Sequence, residues 1–462
     1  IEPQPIADRF APLQADSCFP AGGGNFCTGS QAKVMKISTN SIPVNSKLID
    51  TLHSTLGRFI AWLDGYGETS FDHQSFFAGP IGGRAKALYY RKPLLGTMAV
   101  APMIFCEAFL PAARQLFWKK QRFPIADAHY AMGFALLAQR TGEDKYYDRA
   151  VHFLNVLEQT RCPGYEHYCW GYPFDWVTRT GVMAAGTPLI TTTPYVYEAF
   201  AAVQRIDGQA RWLEILHSIA DHAAEDIPDR ELAADVATAG YNPLDTQGGV
   251  INASAYRAFL LTSAAVQFGR DDYRRIAERN LNFVLRAQQP DGSWFYASDE
   301  VRDFVDHFHT CFVLKALAKI EALTGHEGCR KAIQAGTAYY VRHLFDGNGL
   351  PKPFSRAPRL TVYRQELYDY AECINLGVLL RDRFPELDDR LRTTLNDLLA
   401  RWRKPDGSFR SRRLLLGWDG VPMHRWAQAQ IFRSLCGLLS SLSAEKTVTL
   451  RPQVGEGLEA SA

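Results

Sequence analysis

The chain has almost no excess of either charge: 51 Lys and Arg stand against 49 Asp and Glu, a formal net charge of +2. Without a basic surplus there is no general electrostatic pull toward nucleic acid, so no DNA or RNA partner is expected. CxxC pairs are missing as well. The nine cysteines (Cys18, Cys27, Cys106, Cys162, Cys169, Cys311, Cys329, Cys373 and Cys436) are odd in number and scattered. Neither a disulfide framework nor a zinc site is therefore expected. Several sit in apolar helical surroundings, read as small core residues, and suit a reducing cytoplasm. No HExxH or similar ligand set occurs, so no metal and no cofactor is implied. The first 34 residues lack a basic start followed by an apolar run, the pattern of a secretory leader. Strand-like alternation is rare and short.

What is present suits a large helical fold. Hydrophobic residues make up 47% and charged residues 22% of 462, ordinary values for a globular chain with an ample core. Aromatics reach 12%, with 20 Tyr and 9 Trp, whose flat faces and polar edges suit stacking on sugar rings as well as core packing. Residues 1–34 are rich in Pro, Gly, Ser and Gln and read as a loosely ordered tail, and 446–462 as a C-terminal one. The most apolar stretch, 93–118, approaches the length of a membrane span. Pro102, Glu107, Pro111 and Arg114 interrupt it, which favours a buried or surface-docking helix, with a peripheral membrane contact as the lesser alternative.

A repeat organises the rest. An apolar-periodic helix ends in a polar turn with glycine, and a second helix follows: Thr141-Gly142-Glu143, Asp207-Gly208-Gln209, Phe268-Gly269-Arg270 and Thr324-Gly325-His326. These glycines are 66, 61 and 56 residues apart, and glycine just past a helix end is the expected left-handed cap. A looser version, Arg383-Phe384-Pro385, comes one period later. The preceding helices are predicted at 126–140, 194–206, 253–267, 309–323 and 367–380, with a sixth at 423–439. Six helices alternating with partners make a closed double ring: an all-α (α/α)6 toroid of six hairpins, one domain over 35–445. Two longer loops share a phrase, Pro290-Asp291-Gly292-Ser293-Trp294 and Pro405-Asp406-Gly407-Ser408-Phe409, which reads as a structural turn.

The first turns of the six helices are unusually polar. They carry Asp127, His129 and Tyr130; Thr193, Tyr195, Tyr197 and Glu198; Asn252, Ser254, Tyr256 and Arg257. They continue with Asp306, His307, His309 and Thr310; Glu366, Tyr368, Asp369 and Glu372; and His424, Arg425, Trp426 and Gln428. In a ring these starts meet at one face, where free N–H groups also favour anions. Asp306, Thr193 and Asn252 are also ideal N-caps. Asp306 and His309, three apart, share a face, so the carboxylate can fix the imidazole's tautomer. Glu366, Asp369 and Glu372 crowd carboxyls that raise one another's pKa. The loop 165–176, YEHYCWGYPFDW, offers Trp170, Tyr172 and Trp176 as a stacking wall, with Asp175 reaching the substrate. Arg401, Arg403, Lys404, Arg410, Arg412 and Arg413 crowd one region; used together they would point to an acidic sugar polymer.

The run DGSWFYASDEVRDFVDHFHTCFVLKAL (291–317), with MHRWAQAQIFRSL (423–435) and YPFDW (172–176), resembles bacterial exopolysaccharide-biosynthesis proteins of the VpsJ type. The resemblance covers roughly 120–440. Those proteins look like relatives of the α/α-toroid group that includes unsaturated-glycuronyl hydrolases, polysaccharide lyases and glucuronyl epimerases. Asp175, Trp176, Asp306, His309, Arg425 and Gln428 fall on the motif positions. The resemblance implies an oligo- or polysaccharide substrate and a carbohydrate-active enzyme; the cysteines suit the cytoplasm, and the apolar 93–118 segment motivates a place at the inner face of the membrane. Hydrolysis would use Asp306 with Asp175, Asp369 or Glu372. Elimination or epimerisation would use His309, Tyr368 or Tyr256 as base, with Arg425 against a carboxylate. A sugar-binding scaffold is the alternative. A terpenoid-cyclase-like toroid ranks last, since no DxDD or DDxxD motif occurs.

Overall fold

The computed structural model describes residues 46–442 apart from 180 and 360, so both predicted tails lie outside the described residues. The chain enters with α1 (Ser46–Tyr66) and passes through an insertion of α2 (Ser75–Ala78), α3 (Pro80–Arg91), α4 (Pro93–Phe109) and α5 (Arg114–Phe117). It then alternates α6 (Pro124–Thr141), α7 (Asp144–Gln159), α8 (Thr193–Asp207), α9 (Ala210–Asp221), α10 (Ile251–Phe268) and α11 (Asp271–Arg286). The last elements are α12 (His307–Thr324), α13 (Glu327–His343), α14 (Leu367–Leu380), α15 (Pro385–Asp397) and α16 (Ala429–Ser441).

The even-numbered helices from α6 to α16 form the inner ring: each packs on the next, and α16 returns to pack on α6. The ring closes. The ring encloses them, as α10 shows by burying every residue from Ile251 to Thr262, Asn252, Ser254 and Arg257 included. The outer helices are amphipathic instead: α11 buries Tyr273, Ala277, Asn280, Leu281 and Val284 at helical spacing and leaves its charges outside. Helices α7, α9, α11, α13 and α15 back their inner partners, and α1 takes the sixth outer place against α16. The sixth hairpin thus joins the two ends of the described chain.

The two Pro-Asp-Gly turns show the same equivalence. Gly292 (φ +92°) seats on the carbonyl of Ala335 in α13, where a Cβ would stand 2.4 Å from the oxygen. Gly407 (φ +97°) seats on Arg58 of α1, also at 2.4 Å. Each turn therefore locks onto the next outer helix around the ring. The predicted caps at Gly142, Gly208, Gly269 and Gly325 are all left-handed. The inner helices run one or two residues beyond most of the predicted bounds. The sixth begins as a π turn, His424–Gln428, before α16.

Short strands occupy the loops: β1 (Trp176–Val177), β2 (Val182–Met183), β3 (Asp229–Ala233), β4 (Val236–Ala239), β5 (Val305–Asp306), β6 (Phe354–Arg356), β7 (Tyr363–Glu366), β8 (Arg412–Leu414) and β9 (Trp418–Asp419). All pairings are antiparallel: β1–β2, β3–β4, β5–β6 and β7–β8–β9. Strands β5 and β7 run directly into α12 and α14, so ladder hydrogen bonds fix the first turns of two inner helices. The predicted apolar stretch 93–118 is α4, a short turn and α5. Among the described residues no helix is long and apolar enough to cross a membrane. Arg114, fully buried, holds the insertion to β9 through two bonds to Asp419, at 3.2 and 2.8 Å.

Candidate active site

Around the starts of the inner helices, aromatic and basic side chains form a closed circuit of contacts. Tyr172 meets Trp176 at 5.6 Å between centroids, and Trp176 meets Tyr241 at 6.3 Å. Tyr241 interacts with Tyr296 through their hydroxyls, and Tyr296 stands edge-on to His309 at 4.7 Å. His309 lies 4.4 Å from Phe308, and Phe308 lies 5.4 Å from Trp426. Arg425 completes the circuit, 5.3 Å from Trp426 and 4.6 Å from Tyr172. Tyr172, Trp176, Tyr241, Tyr296, His309 and Trp426 are only half-buried, so each keeps part of its surface open to solvent. Tyr368 stacks under Trp426 at 4.8 Å and 9°. Below it, Tyr195 and Tyr256 share a 2.6 Å hydroxyl hydrogen bond, and Phe312 packs 5.3 Å from Tyr256.

Asp306 and His309 form the polar centre of this wall. The N-cap Asp306 accepts the His309 backbone N–H on Oδ1 at 2.8 Å, while Oδ2 lies 2.6 Å from His309 Nδ1. A ring N–H on Nδ1 donates to that carboxylate, so Nε2 carries the lone pair. Nε2 has no hydrogen-bond partner among the described residues.

Asp369 is enclosed, and neither carboxyl oxygen has a partner among the described residues. Burial first, then Glu366 and Asp306, hold its pKa well above the carboxylate range. A neutral Asp369 spares this cluster a further negative charge. Glu366 accepts from Trp426 Nε1 at 2.6 Å and Arg412 Nε at 3.2 Å. Burial also lifts the phenols of Tyr256 and Tyr368 well above their ordinary value. Both phenols are therefore held in the protonated form at neutral pH.

Several other expected site residues are committed elsewhere. Trp170 is fully buried and donates to the carbonyl of Leu157 at 2.8 Å. Arg257 spends its guanidinium on the carbonyls of Ala223, Ala224 and Ile227 and on Asp229 and Asn280, bracing α10 against the loop before β3. The Tyr197 hydroxyl donates to Gln267, toward the far end of α10. Gln428 clasps both backbone groups of Phe409, so it splints the second Pro-Asp-Gly loop. Glu372 is in a buried ion pair with Lys315. His129 packs on Tyr195 at 4.6 Å in the interior, and burial, then Arg433 and Lys315, push its pKa well down. Asp175 is exposed and accepts the Ala185 N–H at 2.9 Å, bracing its own loop.

Five of the six residues of the basic cluster are also spent internally. Arg401 pairs with Asp397, Lys404 with Asp406, and Arg412 with Glu366 and Glu107. Arg403 and Arg410 donate to backbone carbonyls. Thr193 and Asn252 lie inside their helices and make no cap.

Sequence reasoning missed Asp72 and His73, brought in by the insertion. Asp72 accepts from Arg425 at 3.0 and 2.6 Å and lies 3.2 Å from His73 Nδ1. Burial would raise the Asp72 carboxyl, but Arg425 and His73 outweigh it and hold it well below the usual range. Burial pushes His73 down to about 3, so its ring is neutral, and it packs 4.1 Å from Trp426. The available signal was the Asp-His pair itself, written at 72–73 as at 306–307.

No protein-family model matches the sequence, and no curated protein matches it. Solved structures match in fold. Cellobiose 2-epimerase from Bacillus thermoamylovorans superposes with a TM-score of 0.56 at 8% identity, over 70% of this chain and 88% of that one. Unsaturated glucuronyl hydrolase from Bacillus sp. GL1 gives 0.55 at 13%, over 84% and 96%. The GH76 α-mannanase from Bacteroides thetaiotaomicron gives 0.51 at 10%, over 69% and 86%. At these identities the likeness is one of fold: the chain is an α/α toroid.

Proposed function

We propose that this protein is a carbohydrate-active enzyme that moves a proton at a sugar ring carbon, as an epimerase or a lyase does. Its substrate in this reading is a bacterial surface polysaccharide or the lipid-linked precursor, handled at the inner face of the membrane. The observation that carries the reading is the His309–Asp306 dyad, whose Nε2 is left free in an aromatic wall. Such an imidazole can act as a base toward a sugar C–H, and the carboxylate behind it stabilises the imidazolium that forms. Stacking on Trp176, Trp426 and Tyr172 presents the ring, while protonated phenols donate to sugar oxygens. The toroid neighbours include enzymes named for epimerising and hydrolysing sugars, and the VpsJ-type resemblance supplies the polymer.

Two-carboxylate hydrolysis is less well supported. It needs an acid and a base facing the bond, whereas Asp306 is spent on His309, Glu372 on Lys315, and Asp369 is enclosed. An acidic sugar is favoured by Lys86 of α3. Its amine donates to Gln74 Oε1 at 3.5 Å, and Gln74 Nε2 lies 2.9 Å from His73 Nε2, so a cation stands two hydrogen bonds from His73.

Proton NMR of the protein with the source organism's surface polysaccharide in D₂O tests the assignment. Loss of a ring C–H signal to deuterium supports epimerisation, and vinylic signals support elimination. New reducing ends would replace the reading by hydrolysis. An unchanged spectrum with line broadening would favour a sugar-binding scaffold.

A further inference from the structure

The helical hairpin of α3 and α4 carries an outward face that the toroid does not cover. Along α4, Leu94, Met98, Phe105 and Phe109 recur on one side at helical spacing, and all are exposed, Leu94 at 88% and Met98 at 73%. Leu116 of α5 extends the patch at 82%. The opposite side is packed: Gly96 lies so close to Tyr89 that a Cβ would meet its Cα at 2.0 Å, and Met103 is buried. The apolar face is therefore held outward by a backed helix. Contiguous apolar surface of this kind marks an interaction site.

Charge identifies the occupant. Residues 80–120 hold seven Lys or Arg and a single acid, Glu107. Glu107 is consumed by Arg412, and Arg114 by Asp419. Arg84, Arg91, Lys92, Lys119 and Lys120 remain exposed, and none pairs with a carboxylate among the described residues. The rest of the chain holds 44 Lys and Arg against 48 Asp and Glu, and its other basic cluster, at 401–413, is largely paired internally. We infer that the hairpin docks on an anionic lipid bilayer, with α4 lying in the interface, its apolar side chains among the acyl chains and the flanking cations on lipid headgroups. A second copy of the chain fits poorly, because it would oppose one uncompensated basic rim to another. The hairpin is also tied to the site: Glu107 binds Arg412, which binds Glu366, which binds Trp426. Docking therefore holds the sugar site beside the membrane surface. The inference does not depend on which reaction occurs there.

Co-sedimentation of the full chain with vesicles of phosphatidylcholine containing phosphatidylglycerol tests it. The wild type should pellet at low salt, less at high salt, and less with pure phosphatidylcholine. Leu94→Glu with Met98→Glu should abolish pelleting, and Arg91→Glu with Lys92→Glu should weaken it about tenfold or more. These positions are exposed, so unchanged melting will show that folding is intact. A wild type that stays in the supernatant, or a Leu94→Glu/Met98→Glu variant that pellets equally, overturns the inference. So does gel filtration in which the same variant splits a dimer while vesicles are ignored, which would give the face to a second copy.

Discussion

Asp306 holds His309 twice, through the backbone N–H at 2.8 Å and through ring Nδ1 at 2.6 Å. Helix cap and imidazole orientation are thus one residue's contacts, and the two can be separated by substitution. Asparagine still caps a helix, but its amide cannot hold the Nδ1–H tautomer as a carboxylate does. Asp306→Asn should lower turnover about 100-fold or more with melting shifted by only a few degrees. Asp306→Ala should lose turnover and also about 1 kcal/mol of stability. His309→Gln should match the activity loss alone. Deuterium exchange and thermal melting measure both; an active Asp306→Asn protein would sink the assignment.

Asp369 gives a pH signature. Its folded pKa lies above the unfolded value, so the folded state keeps a proton that the unfolded chain releases. Stability should therefore fall as pH rises from the ordinary carboxylate range through the folded pKa. Asp369→Asn replaces the neutral carboxyl by a neutral amide. Its melting temperature should gain on the wild type with rising pH and show no advantage at pH 4; a constant offset would contradict this.

The Lys315–Glu372 pair is fully enclosed beneath the aromatic floor. Removing one partner leaves a buried charge, so Glu372→Gln or Lys315→Met should cost roughly 3–5 kcal/mol. The double variant Lys315→Met/Glu372→Leu should recover much of that loss, as read by urea denaturation. Full activity in a folded double variant would confirm that Glu372 takes no part in chemistry.

Trp176 and Trp426 line the same space but differ in their ties. Trp176→Ala removes a stacking face, and should raise KM about tenfold with little change in kcat. Trp426→Phe keeps the ring but frees Glu366 from its 2.6 Å indole bond, so it should lower kcat instead. Steady-state kinetics distinguishes them.

The second Pro-Asp-Gly turn tests ring closure. Gly407→Ala would place a Cβ against the Arg58 carbonyl at positive φ, and should cost 2 kcal/mol or more, on the order of the larger backbone effects. Gly292→Ala should cost about as much. If α1 were merely appended, Gly407→Ala would be the milder of the two.

Much of this architecture was legible beforehand because its causes are local. A glycine cap, an apolar period and a polar turn are written within twenty residues, so five hairpins and the inner helix bounds could be read directly. For the sixth only the inner helix could be read, at 423–439; its outer partner could not, because α1 and α16 are joined by packing between the two ends of the described chain, which leaves no period in the sequence. The site divides on the same line. Asp306 and His309 were found because three residues on one helix fix their distance. Asp72 and His73 were missed because an insertion without a repeat carries them to Arg425, some 350 positions away. Arg257, Trp170, Tyr197, Gln428 and Glu372 had the right residue type at the right turn, yet their partners lie on other elements. Sequence by itself determined which residues could reach the ring's face; only the tertiary structure decided which of them kept a free polar atom there, because a hydrogen bond made across the fold is invisible to spacing along it.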